Sequence, residues 1–406
     1  MIRLLCFPLC LLLALPVQAT SYFVDRLHGD DSNNGLSPIS AWQSLDHTAR
    51  QRLQPGDRVL LRRGERWHER FELQGTGNTE QPIQLASYGQ GQLPQIEGLD
   101  LRGSHLQVDE LEINADQQPA DALSIRQSSH IILRDMEVHN GIRDGIDIED
   151  SQDILVSGLL IHHFLAGSFT EQHDAHGIVA SNTQQLTIEY TEIHHTSGDS
   201  FQSDPKREAG KISNDIVIRN SHFWTGPLQE DFNSGWKATA QLAESERQYP
   251  GENAIDTKVV KDNWSNAPRL RLTIDGLRVH GWKADAYIAN KAVFNLKEQI
   301  QANLNNIEVY DSEIAFRLRG NRGNALVSIE NAHIYQCQTG IRAEDGLQGL
   351  KVENSIFGPQ LKESVNAIGK VTRNNADSWS FTGNVFYGSI PEIVRGRDNL
   401  EVSTQL

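Results

Sequence analysis

Apolar and polar residues alternate along much of this chain in short runs with the period of a β-strand rather than a helix. From Asp144 onward one pattern recurs every ~25–35 residues, a spacing typical of solenoid repeats. Each unit has a short strand, a turn, a second strand rich in Ile, Leu and Val, and a polar corner. The clearest copies begin at Asp144–Glu149 (DGIDIE), His176–Ser181 (HGIVAS), Asp199–Asp204 (DSFQSD) and Asn253–Lys258 (NAIDTK). Further copies begin at Asp285–Asn290 (DAYIAN), Ile314–Arg319 (IAFRLR) and Thr339–Glu344 (TGIRAE). Second strands follow at Asp153–Val156, Leu186–Glu189, Asp215–Ile218 and Leu270–Ile274.

Strands this short cannot each bury a face alone, whereas stacked rungs bury one continuous interior and pair their backbones along the axis. No helical stretches intervene, which argues against βαβ units. A β-sandwich is the structural alternative, but the Gly-Ile or Ala-Ile step at one fixed phase favours the solenoid. The fold class expected is therefore all-β, a right-handed parallel β-helix with a short N-terminal capping helix. Trp42, Leu45, Ala49 and Leu53 lie at helical spacing in Ala41–Leu53, which predicts that cap. Trp42 and Trp67 are expected to pack in the core or the cap. Residues 20–100 then form the cap and first rungs, 101–373 the β-helix with a loop insertion at 224–252, and 374–406 the last rung and its cover.

Composition sharpens this picture. Met1–Ala19 has one cation, a short apolar run and small residues before a cleavage point near Ala19, the marks of a secretory signal. The run is shorter than the ~20 apolar residues a bilayer span needs, so a secreted or periplasmic protein with no membrane partner is expected. Cys6 and Cys10 leave with the signal, and Cys337 alone cannot form an internal disulfide. A formal net charge of -16 argues against nucleic acid and anionic membranes. An acidic substrate then needs bridging cations or a local Lys/Arg cluster, because binding reads the local field.

Stacking places equivalent residues about 4.8 Å apart in columns, and residues two apart on a strand face the same way. Aligned at the Gly/Ala/Ser step, the repeats give one outward column of Asp147, Gln202, Asp256 and Arg317. The next holds Glu149, Asp204, Lys258 and Arg319. Charges of both signs meeting at one phase mark the candidate site, although a solvated face can look the same. His162 and His194 recur at one repeat phase and read as scaffold corners. His176, beside the Asp199 rung, is a candidate neutraliser or base. The excursion from Trp224 to Gly251 is expected to overhang the cleft, with Trp236 as a sugar platform and Tyr249, Tyr287 and Gln202 as further substrate contacts.

The opening Tyr22–Pro38, with Trp42–Leu45 and Leu53–Gly64 (LQPGDRVLLRRG), resembles the start of secreted β-helix polysaccharide lyases, most closely family nine and its pectate-lyase-like relatives. The resemblance spans the first ~70 residues, about a capping unit and one or two rungs. It implies calcium on acidic residues of neighbouring rungs and an Asp followed two places later by a base Lys. Asp174, Asp199, Asp204 and Asp256 match the calcium part, and Asn253–Lys258 matches the second element, with Lys258 as base. Ser200 and Ser203 stand where relatives are richer in Asp, which puts the metal in doubt more than the lysine.

A uronate lyase must neutralise the carboxylate, remove the adjacent proton and help the glycosidic oxygen leave. Calcium suits the first task. Lys258 suits the second if desolvation or the cations Arg317 and Arg319 lower its pKa. An ion pair of Lys258 with Asp204 or Asp256 would instead raise its pKa and spoil it as a base. The expected function is β-elimination on an acidic polysaccharide by a monomer. The rivals are a glycoside hydrolase using paired Asp residues, a C5-epimerase and a non-catalytic polysaccharide-binding protein.

Overall fold

The computed structural model describes residues 19–204, 213–247, 249–258, 269–283, 291–297, 299–320 and 325–403. The leader expected over residues 1–19 therefore lies outside the described residues except for Ala19. No helix among the described residues is long and apolar enough to cross a membrane.

Strands at one repeat phase pair in parallel and in register. Ile146, Ile178, Phe201, Ile255, Phe294, Phe316, Ile341 and Val365 stack into one inward column, and all are buried. Two further faces form the same way. The strands Ser129–Arg134, Gln152–Ser157 and Gln184–Glu189 stack on one. The strands Glu137–Gly141, Leu160–Phe164 and Glu192–Thr196 stack on the other. Together they make a 31-stranded sheet coiled around one apolar interior: a parallel β-helix.

The corner between the second and third faces explains much of the Asn, Asp and Gly content. Asp135, Asn220, Asn306, Asn331 and Asn354 have φ near +50°, and Gly158, Gly276 and Gly383 near +70°. That left-handed conformation costs most side chains free energy but is tolerated by Gly and by Asn or Asp. Tyr190, also left-handed and exposed, is the costly member of the series.

Three expectations about elements change. The capping helix is only Leu45–Ala49, capped by Ser44. It cannot begin at Ala41, because Trp42 bridges to Val24 and the Gln43 and Ser44 amides donate to Asp31. Trp42 and Trp67 are nonetheless buried, with Trp67 Nε1 donating to Gln43 O at 3.0 Å. The rung expected at Asp285–Asn290 is carried by Ala292–Lys297, which pairs with Asn253–Asp256 on one side and Ile314–Arg319 on the other. Residues 284–290, Tyr287 among them, lie outside the described residues. Between the strands Asn214–Trp224 and Asn253–Thr257 the described chain has only two short 3-10 turns. That excursion folds onto its own cluster of Leu165, Phe169, Leu228 and Trp236.

Candidate active site

The residue after each inward apolar position points outward. On the first face these are Asp147, Val179, Gln202, Asp256, Asn295, Arg317 and Arg342. The register thus brings Asp147, Gln202, Asp256 and Arg317 into one column, with Val179 and Asn295 between them. Two residues further along stand Glu149, Ser181 and Asp204, and beyond the next rung Lys297, Arg319 and Glu344. Lys258 follows its strand directly, its amide donating to Ser203 O at 2.8 Å.

Asp256 is fully buried and ionically paired twice. Its Oδ2 lies 2.8 Å from Lys258 Nζ and 2.9 Å from Lys297 Nζ. Burial works against the Lys258 charge, but Asp256 and Asp199 outweigh it and hold the ammonium above its ordinary range. The expectation of a Lys258 base with a lowered pKa is therefore corrected: the ion pair keeps it protonated. Arg317 and Arg319 do not act on it either. They stand two rungs beyond Asp256, where Arg317 bonds Glu344 and Arg319 bonds Asp345 at 2.7 Å. Arg342 reaches the same Glu344 at 3.2 Å.

Asp199 lies one rung before Asp256 and meets opposite surroundings. It is fully buried, and neither carboxylate oxygen has a hydrogen-bond partner among the described residues. Burial, reinforced by the Asp256 and Glu252 charges, pushes its pKa well above the usual carboxylate range. Glu252 is also raised, chiefly by burial. His176 does not neutralise Asp199. Its Nδ1 accepts the Asp199 backbone N–H at 2.7 Å, and burial pushes its pKa down, so the 3.6 Å approach to Asp199 Oδ2 is not an ion pair. With Nδ1 accepting, Nε2 carries the proton, and the Gln202 side-chain amide 3.2 Å away accepts it once its oxygen is turned to that nitrogen. His176 and Gln202 thereby position the Asp199 turn.

Among the described residues, buried oxygens without partners gather on these rungs: both of Asp199, Ser200 Oγ, Asp256 Oδ1 and Asn295 Oδ1. Burying so many unpaired acceptors is costly, and donors such as sugar hydroxyls would relieve it. At the edge of the cluster solvent touches Lys258, a quarter of whose side chain is exposed, and to a lesser extent Lys297. On the preceding rungs Arg126 bonds Asp147 at 2.6 Å and also pairs with Glu149. Burial raises Asp147 and Asp144 to about 6.

The remaining expected residues are scattered. Trp236 is fully buried, with Nε1 donating to Ala166 O at 3.2 Å, so it packs and is no sugar platform. Tyr249 is half-buried beneath Lys283 Nζ, 5.6 Å from its ring centroid. Asp174 is exposed, and the side chain of Asp204 lies outside the described residues. These carboxylates do not fit a calcium cage as they stand, because two ammonium groups already occupy Asp256. Lys297, Glu252 and Asn295 were not anticipated. The Asp285–Asn290 segment imitates the repeat, and Ala292–Lys297 lacks its Gly-Ile step.

Residues 97–237 match the family model for a right-handed β-helix region. The fold is a right-handed parallel β-helix. Among curated proteins, a lacto-N-biosidase of Bifidobacterium longum subsp. longum is 29% identical over 144 residues, covering 33% of this chain and 9% of that protein. The chain therefore matches less than a tenth of that relative's length. Among solved structures, a pectate lyase is similar with a TM-score of 0.52 at 13% identity, covering 87% of this chain and 80% of its own. The catalytic domain of an α-1,3-glucanase gives 0.57 at 10% identity, covering 96% and 67%. At such identities the likeness concerns the fold, which lyases and glycoside hydrolases share.

Proposed function

We propose that this protein is a carbohydrate-active enzyme that hydrolyses a glycosidic bond of an acidic polysaccharide, outside the cytoplasm and as a monomer. The observation that carries this reading is the contrast between Asp199 and Asp256. Of two carboxyl groups on adjacent rungs, burial raises the pKa of Asp199 while Asp256 is paired with two ammonium groups, an unequal pair of the kind glycoside hydrolysis uses. Asp199, protonated by burial, donates its proton to the leaving glycosidic oxygen. Asp256, paired with Lys258 and Lys297, is the second carboxyl group and takes the proton of the water that replaces the leaving oxygen at the sugar carbon. The buried oxygens of Ser200 and Asn295 accept sugar hydroxyls. Arg317, Arg319 and Arg342 converge on Glu344 further along the same face, a cationic stretch suited to an acidic chain on a protein of net charge -16.

The lyase reading suggested by the opening residues needs a deprotonated base, and Lys258 is not one while Asp256 holds it. The deciding experiment incubates the protein with acidic and neutral polysaccharides, with calcium and with chelator. Reducing ends and the ultraviolet absorbance of unsaturated uronate are measured together. Hydrolysis yields reducing ends without absorbance, is lost in Asp199→Asn and Asp256→Asn, and survives chelator. Absorbance that Lys258→Ala abolishes would replace hydrolysis with β-elimination. Binding without any product would make the groove a binding surface.

A further inference from the structure

We propose that the third face of the solenoid binds one transition-metal dication of the zinc class through Glu112, Glu137, His139 and His162. This site is separate from the carboxylate pair and independent of the reaction assigned to it. The outward column of that face runs through Asn114, His139, His162, His194, Trp224, His280, Tyr310 and Tyr335. Its rings stack from rung to rung, at 5.0 Å for His139–His162, 5.0 Å for His162–His194 and 4.4 Å for His194–Trp224.

A diagonal neighbour from the preceding rung meets the edge of most of these rings. Glu192 lies 2.7 Å from Trp224 Nε1, Arg278 2.6 Å from Tyr310 Oη and Glu308 2.9 Å from Tyr335 Oη. One partner per ring is what a stacked ladder needs, and on these rungs that is all the column supplies. The first two rings follow the same rule and differ in that two imidazoles come within reach of one carboxylate. Glu112 lies 3.1 Å from His139 Nε2 and Glu137 3.1 Å from His162 Nε2. Ligand atoms of Glu137, His139 and His162 all lie within 4.8 Å of one another. Two imidazoles and two carboxylates are thus gathered on three successive rungs. His139, His162 and Glu112 are at most 20% exposed.

Mixed imidazole and carboxylate donors suit Zn²⁺, Cu²⁺ or Ni²⁺ rather than calcium. The outer layer suits an ion as well. His162 Nδ1 lies 2.6 Å from His163 Nδ1, so the His163 ring orients His162 from behind. Metal–ligand bonds of about 2.0–2.1 Å place tetrahedral donors roughly 3.4 Å apart, so side-chain rotations closing the cluster by about 1.5 Å are needed. Each imidazole then offers its Nε2 lone pair, and any proton shared with Glu112 or Glu137 leaves to solvent.

The test titrates the full chain with Zn²⁺ by calorimetry, with Mg²⁺ as the hard-cation control, and follows thermal unfolding in parallel. The expected result is one Zn²⁺ per chain, a rise in melting temperature and no response to Mg²⁺. The double variant Glu112→Gln/Glu137→Gln keeps hydrogen-bonding groups on the ladder and should lose at least about tenfold in affinity, as should His139→Gln. Should the variants fail to fold, Co²⁺ bound to the unaltered protein gives a visible spectrum diagnostic of tetrahedral nitrogen and oxygen ligation. Zinc affinity unchanged in either folded variant, an equal response to Mg²⁺, or no tetrahedral spectrum overturns the proposal.

Discussion

At the scale of single residues, Asp199 and Asp256 show how one side-chain type acquires two roles from its neighbours. Asp256 has two ammonium groups within hydrogen-bonding distance, whereas Asp199 is fully buried and has no hydrogen-bond partner among the described residues. Because the folded pKa of Asp199 is raised, its contribution to stability is present below the unfolded value and lost as pH rises through the folded one. Asp199→Asn should therefore abolish hydrolysis yet stabilise the protein at alkaline pH, by about 1.4 kcal/mol for each unit of raised pKa that the substitution removes. Denaturant midpoints at acid and alkaline pH check this; a variant destabilised at both would mean that Asp199 is satisfied in solution. Trp236 illustrates the opposite lesson. Its burial against Leu165, Phe169 and Leu228 predicts that Trp236→Ala costs about 3–5 kcal/mol and that Trp236→Phe recovers most of it. Lost carbohydrate affinity at unchanged stability would return the ring to the surface.

At the scale of elements, the histidine ladder sets an acid limit. Burial pushes His194 to about 2, His163 to about 3 and His195 and His280 to about 4. The unfolded chain binds these protons near the ordinary value of about 6.5, so between that pH and the folded values the unfolded state holds more of them. Stability must then fall as pH drops through this window, by about 1.4 kcal/mol per pH unit for each such histidine. Urea midpoints measured down through this range should decline steeply, and less so in His194→Phe, which keeps a ring in the stack. A flat profile would show that the ladder opens to water. The sequence made His162 and His194 legible as members of one column because both follow Ile at one repeat phase. The strand period and the outward column were legible for the same reason: Ile, Leu and Val mark the inward phase directly. The Ala292–Lys297 rung was not, since Asp285–Asn290 copies the pattern and only backbone pairing decides between them. The contrast within the site was also hidden, because it depends on which neighbour Lys258 meets across the rungs.

At the scale of the whole molecule, the solenoid makes the site depend on the core beneath it. Each rung contacts only its neighbours, so a core change should be felt nearby and fade with distance along the axis. Phe294 stacks on Phe316 with ring centroids 4.7 Å apart, and its own strand carries Asn295 and Lys297 outward beside Asp256. Phe357 stacks on Phe386 at 4.6 Å, two rungs further on and on another face. Both rings are fully buried, so Phe294→Leu and Phe357→Leu should each cost between about 0.5 and 3 kcal/mol. Their effects on catalysis should differ. A shift of the Ala292–Lys297 strand moves Lys297 off Asp256 and weakens the charge contrast with Asp199, so Phe294→Leu should lower kcat well beyond what its stability loss explains. Phe357→Leu should leave kcat unchanged at the same loss. Melting temperature and turnover measured on both variants decide the matter, and equal effects on kcat would mean that strain spreads along the solenoid instead of stopping at the neighbouring rungs.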